Sequence, residues 1–127
     1  MFFLNAAMVR AIHSDLINRY GGRYGLRDAG LLESALARPH HLVQYVPESH
    51  VAALAATLGW GLIRNHAFFD GNKRIGFAAV ITLLRLNGHD LSTTEVEETT
   101  MVLRAAASDL TEDAWTAWLE RVVIAMP

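Results

Sequence analysis

Two charge-free stretches, Val51–Ile63 and Ile75–Leu84, flank a short segment holding almost every kind of polar side chain: His66-Ala67-Phe68-Phe69-Asp70-Gly71-Asn72-Lys73-Arg74. The first stretch is rich in alanine and apolar nearly all round. That pattern predicts a helix from about Glu48 to Arg64 at the middle of a bundle. The second predicts a helix opening near Asn72 and stopping at Asn87-Gly88. Neither reaches the roughly 20 apolar residues of a membrane span. A connection between two core helices is ordinarily short or apolar, because polar and charged groups are costly to bury without partners. The nine positions His66–Arg74 break that rule.

The rest of the chain also reads as helical. Met8, Ile12, Leu16 and Ile17 recur at three- and four-residue steps, predicting a helix over Asn5–Tyr20 that Gly21-Gly22 stops. Asp28 can cap a short helix carrying Leu31, Leu32, Ala35 and Leu36, and Pro39 is expected to close it. His40–Ser49 then reads as a loop with some extended character. Thr94 with Glu97 is a capping-box pattern opening a helix through about Ser108. Thr111, Glu112 and Asp113 open the last helix, whose Trp115, Trp118, Leu119 and Val122 share a face expected to pack in the core. The fold class expected is all-α, one domain over residues 1–127 with five or six helices around a central apolar helix. Strand content is at most a short hairpin near His40–Pro47 or His89–Ser92.

Composition narrows the function. At 127 residues and 52% hydrophobic the chain is not of the disordered class. A formal charge of −2 with no basic recognition helix argues against a nucleic-acid partner. The absence of cysteine removes disulfides, thiolate zinc sites and cysteine nucleophiles. Met1–Leu4 is apolar but has no basic leader, so a cytoplasmic protein without a membrane partner is expected.

The polar segment reads as a phosphate site. Gly71 tolerates a backbone with positive φ, and Asn72 then opens a helix whose free N–H groups form an anion cradle. Lys73 and Arg74 bring cations to the same place, the latter able to bind phosphate bidentately. Arg64, ending the preceding helix, could add another. Asp70 has the wrong charge for phosphate and the right one for a Mg²⁺ bridging phosphate oxygens. His66 is the one side chain of the segment suited to take a proton near neutral pH. Plainer alternatives are a hydrogen-bonded core histidine, a His66–Asp70 metal pair lacking a third ligand, or a solvated helix start. Cations at a helix start oppose its dipole, which favours an anion ligand. His13, His40, His41, His50 and His89 show no ligand spacing and read as surface or loop residues.

His66, Phe68, Asp70, Gly71, Asn72, Lys73 and Arg74 together resemble the signature of the Fic/Doc family, His-x-Phe-x-Asp/Glu-Gly-Asn, and its Doc (death-on-curing) branch, where Lys-Arg follows the Asn. Arg19–Gly22, Gly25-Leu26-Arg27-Asp28 and Leu84–Gly88 also look like Doc proteins. The resemblance implies a nucleotide-dependent transferase with His66 as general base for a protein hydroxyl and Asp70 as the Mg²⁺ ligand. Gly71, Asn72 and the following amides would form the anion hole, and Arg74 would bind phosphate. The AMP-transferring branch carries a glycine after the Asn and a second arginine three positions beyond the first. Lys73 and Phe77 stand there instead, as in Doc, which implies phosphoryl transfer from ATP with Lys73 holding the transferred group. The branch can carry an asparagine at the position of Ala78, so no nucleotide-positioning role is carried over to it. Also implied are a threonine of elongation factor Tu as target, a cognate Phd-like antitoxin as partner, and a target-guiding flap near Tyr45. Two other functions stay open at this point: a Fic-type adenylyltransferase, and a non-catalytic nucleotide- or partner-binding module.

Overall fold

A computed structural model describes residues Met1–Pro127. Six helices occur in chain order: α1 (Ala6–Tyr20), α2 (Ala29–Tyr45), α3 (Val51–Asn65), α4 (Asn72–Leu86), α5 (Glu95–Ala106) and α6 (Glu112–Val122). Strand β1 (His89–Leu91) lies between α4 and α5, and β2 (Val123–Ala125) follows α6. The helix starts obey simple capping chemistry. The side chains of Asn5, Asp28, Thr94 and Thr111 accept from the backbone N–H of Met8, Leu31, Glu97 and Ala114, three residues on in each case.

Helix α3 is the centre of the bundle, as its all-round apolarity predicts. Eleven of its fifteen residues are buried, and α2, α4, α5 and α6 all pack on it. One hydrophobic cluster of 23 buried residues draws on every helix. Trp115 and Trp118 belong to it, buried as expected, with their indole N–H groups donating to Ala56 O and Glu97 Oε1 at 3.0 Å each. The α3–α4 crossing is unusually close because glycines meet there. A Cβ on Gly59 would lie 2.4 Å from Val80 Cγ2, and one on Gly76 would lie 2.4 Å from Ile63 Cγ1. Close crossing pins the two helices whose connection is the polar segment.

Three expectations are corrected. Pro39 does not end α2; the helix continues to Tyr45 with Pro39 buried inside it. The ring removes its own N–H bond and crowds the carbonyl of Ala35 four residues back, and packing overrides that cost. Leu42 and Val43 beyond the proline pack against the core, while Arg38 donates to Thr57 O (3.0 Å) and to both oxygens of Glu112. His40–Pro47 accordingly carries no strand, and Tyr45, the proposed flap position, is the exposed last residue of α2. The sheet occupies the second expected place, with His89, Asp90 and Leu91 opposite Ala125, Ile124 and Val123 in an antiparallel pair whose partner comes from far along the chain. His13 is the third correction, being buried rather than at the surface. No helix is long and apolar enough to cross a membrane.

Candidate active site

The α3–α4 connection is built from the backbone outward. His66 ends α3 in the left-handed region (φ 54°, ψ 49°), and Gly71 returns to it (φ 72°) just before α4 starts. Between them Ala67 and Phe68 are buried, while His66, Phe69 and Asp70 are exposed. Apolar side chains thus anchor the loop while its polar ones face solvent.

The segment Gly21–Asp28 forms the template on which this loop is laid. Leu26 and Phe68 form an antiparallel bridge. The N–H groups of Arg27 and Asp28 donate to Ala67 O (2.8 and 3.0 Å), and Phe69 N–H donates to Gly25 O (3.2 Å). Arg23 N–H donates to Asp70 Oδ2 (3.1 Å), and Gly71 N–H donates to Asp70 Oδ1 (3.0 Å). Beneath the loop, His13 stacks on Phe68 at 3.9 Å and bonds through Nε2 to Asp70 O at 2.7 Å. The loop is therefore held on both sides at Asp70.

Asn72 opens α4 as expected, and its side chain has a separate structural task. It is buried, its Oδ1 accepts from Phe68 N–H (3.1 Å) and its Nδ2 donates to Phe68 O (3.0 Å). The carboxamide closes the loop upon itself and is fully engaged there. What remains for an anion is the backbone, because Gly71 offers no side-chain cap to the first turn of α4 and the dipole end points outward.

A cleft of about 780 Å³ opens over this start, within the range of small-molecule and cofactor sites. His66, Asp70, Gly71, Asn72, Lys73 and Arg74 all line it, so the loop histidine and the α4 amides share one space. Arg74 is held with its guanidinium 4.4 Å from the Tyr20 ring centroid. Arg64 is not among the lining residues. Its Nη1 donates to Ala105 O (3.0 Å) and Ser108 Oγ (2.6 Å), which ties α3 to the end of α5. Of the seven site residues expected, six therefore meet at the cleft and Arg64 lies apart as a structural tie.

The opposite wall, Glu95, Glu98, Thr99, Val102 and Leu103 of α5, is a part sequence reading missed. Burial holds the Glu98 carboxyl above the ordinary glutamate range, helped by the charges of Glu95, Asp90 and Glu97. Leu16 and Phe77 give the cleft an apolar floor beside its polar end. His13 was also missed, although a signal existed: Val9, His13 and Ile17 recur every four residues and are the three buried positions of α1.

The donor set fits the groups expected. Mg²⁺ keeps several waters and takes one or two carboxylates besides phosphate oxygens, and Asp70 is an exposed carboxylate beside the amides. No cluster of three or more His, Cys, Asp or Glu capable of holding a metal by protein ligands alone occurs.

Known proteins resemble this chain in sequence. The Fic/DOC family pattern matches residues 3–84, which covers α1 to α4 and the whole polar loop. Over 74 residues, 58% of this chain, the sequence is 45% identical to the Toxin Doc of Mycolicibacterium smegmatis, 57% of whose length is covered. Over 78 residues, 61% of this chain, it is 35% identical to the Protein kinase doc of Escherichia phage P1, with 62% of that protein covered. The matched region thus spans less than two thirds of the length of either relative.

Proposed function

The chain belongs to the Fic/DOC family, and from that premise we propose that it is a Doc-like toxin that transfers a phosphoryl group from ATP to a protein hydroxyl. The target proposed is a threonine of elongation factor Tu, and the consequence is arrest of translation until a Phd-like antitoxin binds. One observation carries the reading: a histidine, a carboxylate, two cations and an uncapped helix start line a single cleft.

In this scheme the His66 ring accepts the threonine proton while the hydroxyl oxygen forms its bond to the γ-phosphorus. The bond from that phosphorus to the β–γ bridging oxygen breaks, and ADP leaves. The exposed amides of α4 and the Lys73 and Arg74 cations take up the spread negative charge, which is what phosphoryl transfer chiefly requires. Asp70 would hold Mg²⁺, which when bound neutralises phosphate charge. Lys73, in place of the glycine of the AMP-transferring branch, is assigned to the transferred phosphoryl. The relative named Protein kinase doc supports this direction of transfer over adenylylation. The apolar floor and α5 wall suit an antitoxin segment laid over the cleft.

Purified protein incubated with elongation factor Tu and ATP labelled at the γ- or the α-phosphate tests the reading. Label arriving from the γ-position alone is expected. Label from the α-position alone would assign adenylylation. No transfer from either, with His66→Ala indistinguishable from the parent, would leave a binding module.

A further inference from the structure

We propose that Arg27, on the segment opposite the loop, is a positioning residue for His66; this rests on His66 being the base of the proposed function. The Arg27 guanidinium donates twice to the His66 carbonyl, from Nε at 2.8 Å and from Nη2 at 2.6 Å. Nη2 also reaches Asn65 O at 3.5 Å. These are carbonyls at the C-terminal end of α3, where the dipole is negative and no further turn supplies N–H donors. Arg27 takes part in none of the ion pairs of the chain, so its charge is directed to these carbonyls alone.

The position needs such a hold. His66 sits in the left-handed region at φ 54°, a conformation that costs a non-glycine residue about 1–2 kcal/mol. An exposed histidine in that state keeps one direction only if its backbone is fixed. The neighbouring hydrogen bonds fix Ala67 and Phe69 and the Asn72 carboxamide fixes Phe68, but the His66 carbonyl is held by Arg27. A peptide plane turned there would re-aim the imidazole relative to the α4 amides, and small misplacements of a reacting group are expensive in rate. Arg27 therefore acts through His66 while making no contact with substrate.

Arg27 is exposed, so removing its side chain is expected to leave the fold intact. For Arg27→Ala, kcat of γ-phosphoryl transfer is expected to fall by about tenfold or more, with KM for ATP and the calorimetric ATP affinity within twofold of the parent. Arg27→Lys, which can give one charged donor to the same oxygen, is expected to recover most of the loss. A kcat within about twofold of the parent in Arg27→Ala overturns the proposal. So does an ATP affinity that falls in step with kcat, since Arg27 would then act on nucleotide. Hydrogen exchange tests the same hold without any substrate: the Phe68 and Phe69 amides are expected to exchange about fivefold faster in Arg27→Ala, and unchanged exchange also overturns it. A fully active His66→Ala overturns the base reading itself, an outcome separate from those of Arg27.

Discussion

Helices α4 and α5 both send their first turns to the cleft, but Gly71 leaves the amides of α4 open whereas Thr94 closes those of α5. Thr94 Oγ1 accepts from Glu97 N–H at 3.1 Å, and the Glu97 carboxylate is occupied by Thr93 and Trp118. Three acids in the first turn then complement the dipole of α5. At α4 the same turn carries Lys73 and Arg74, the charge that opposes the dipole. A capped helix start and an uncapped one thus line one space. The proposed phosphate role of α4 rests on this difference, with α5 as a wall.

That contrast can be broken most directly at Asp70. Asp70→Asn keeps an acceptor for one of the two N–H groups now bound to the carboxylate and removes the charge. Mg²⁺-dependent transfer is expected to fall by about a thousandfold, with the melting temperature little changed. A variant that retains its rate at low Mg²⁺ would break the metal assignment. Next in size is Lys73→Gly, expected to lower γ-phosphoryl transfer by about 10–100-fold without unfolding, read in the labelled-ATP assay. An unaltered rate would mean that the amides alone supply the charge stabilisation on the α4 side.

How far the sequence foretold this arrangement depends on the range of the cause. The capped starts at Thr94 and Thr111, the stop at Gly21-Gly22 and the central α3 are local or composition effects, and each is legible in the chain. The uncapped start after Gly71 was legible for the same reason. Pro39 was misread because its effect is local while the forces that keep α2 going, Leu42 and Val43 on the core and Arg38 on Glu112, are long-range. His13 and Arg27 could be recognised as supports of the loop only once α1 and the Gly21–Asp28 segment were folded against it, 57 and 39 residues away from their partners. Asn72 was legible as the residue that opens α4, while the bonding of its carboxamide to Phe68 was not. Its type suits an anion site, but its burial directs the carboxamide to Phe68.

On the closed side of the cleft the expected effects are thermodynamic. Thr94→Ala removes the acceptor of Glu97 N–H and is expected to cost about 1 kcal/mol by denaturant unfolding, with phosphoryl transfer unchanged. A large loss of transfer with full stability would show that α5's start takes part in chemistry after all.

The smallest effect is expected at Glu98, and its sign follows from linkage. Burial, together with Glu95, Asp90 and Glu97, raises its carboxyl pKa in the folded state. The folded chain then binds that proton more tightly than the unfolded one. The resulting stabilisation is complete below the unfolded glutamate range and is lost as pH rises through the raised folded value. Above that folded value the charged carboxylate works against the fold, weakly because the side chain is only partly shielded from water. Glu98→Gln is therefore expected to raise the melting temperature by about 1 °C at pH 7, with the advantage shrinking as pH falls from the raised folded value toward the ordinary glutamate range and absent below it. ATP affinity should tighten by less than about twofold, since a negative charge lining the same cleft as the α4 start is removed and salt screens its effect. A weaker affinity instead would show that the Glu98 carboxylate receives part of the nucleotide, and the division of the cleft into a binding side and a structural side would fail.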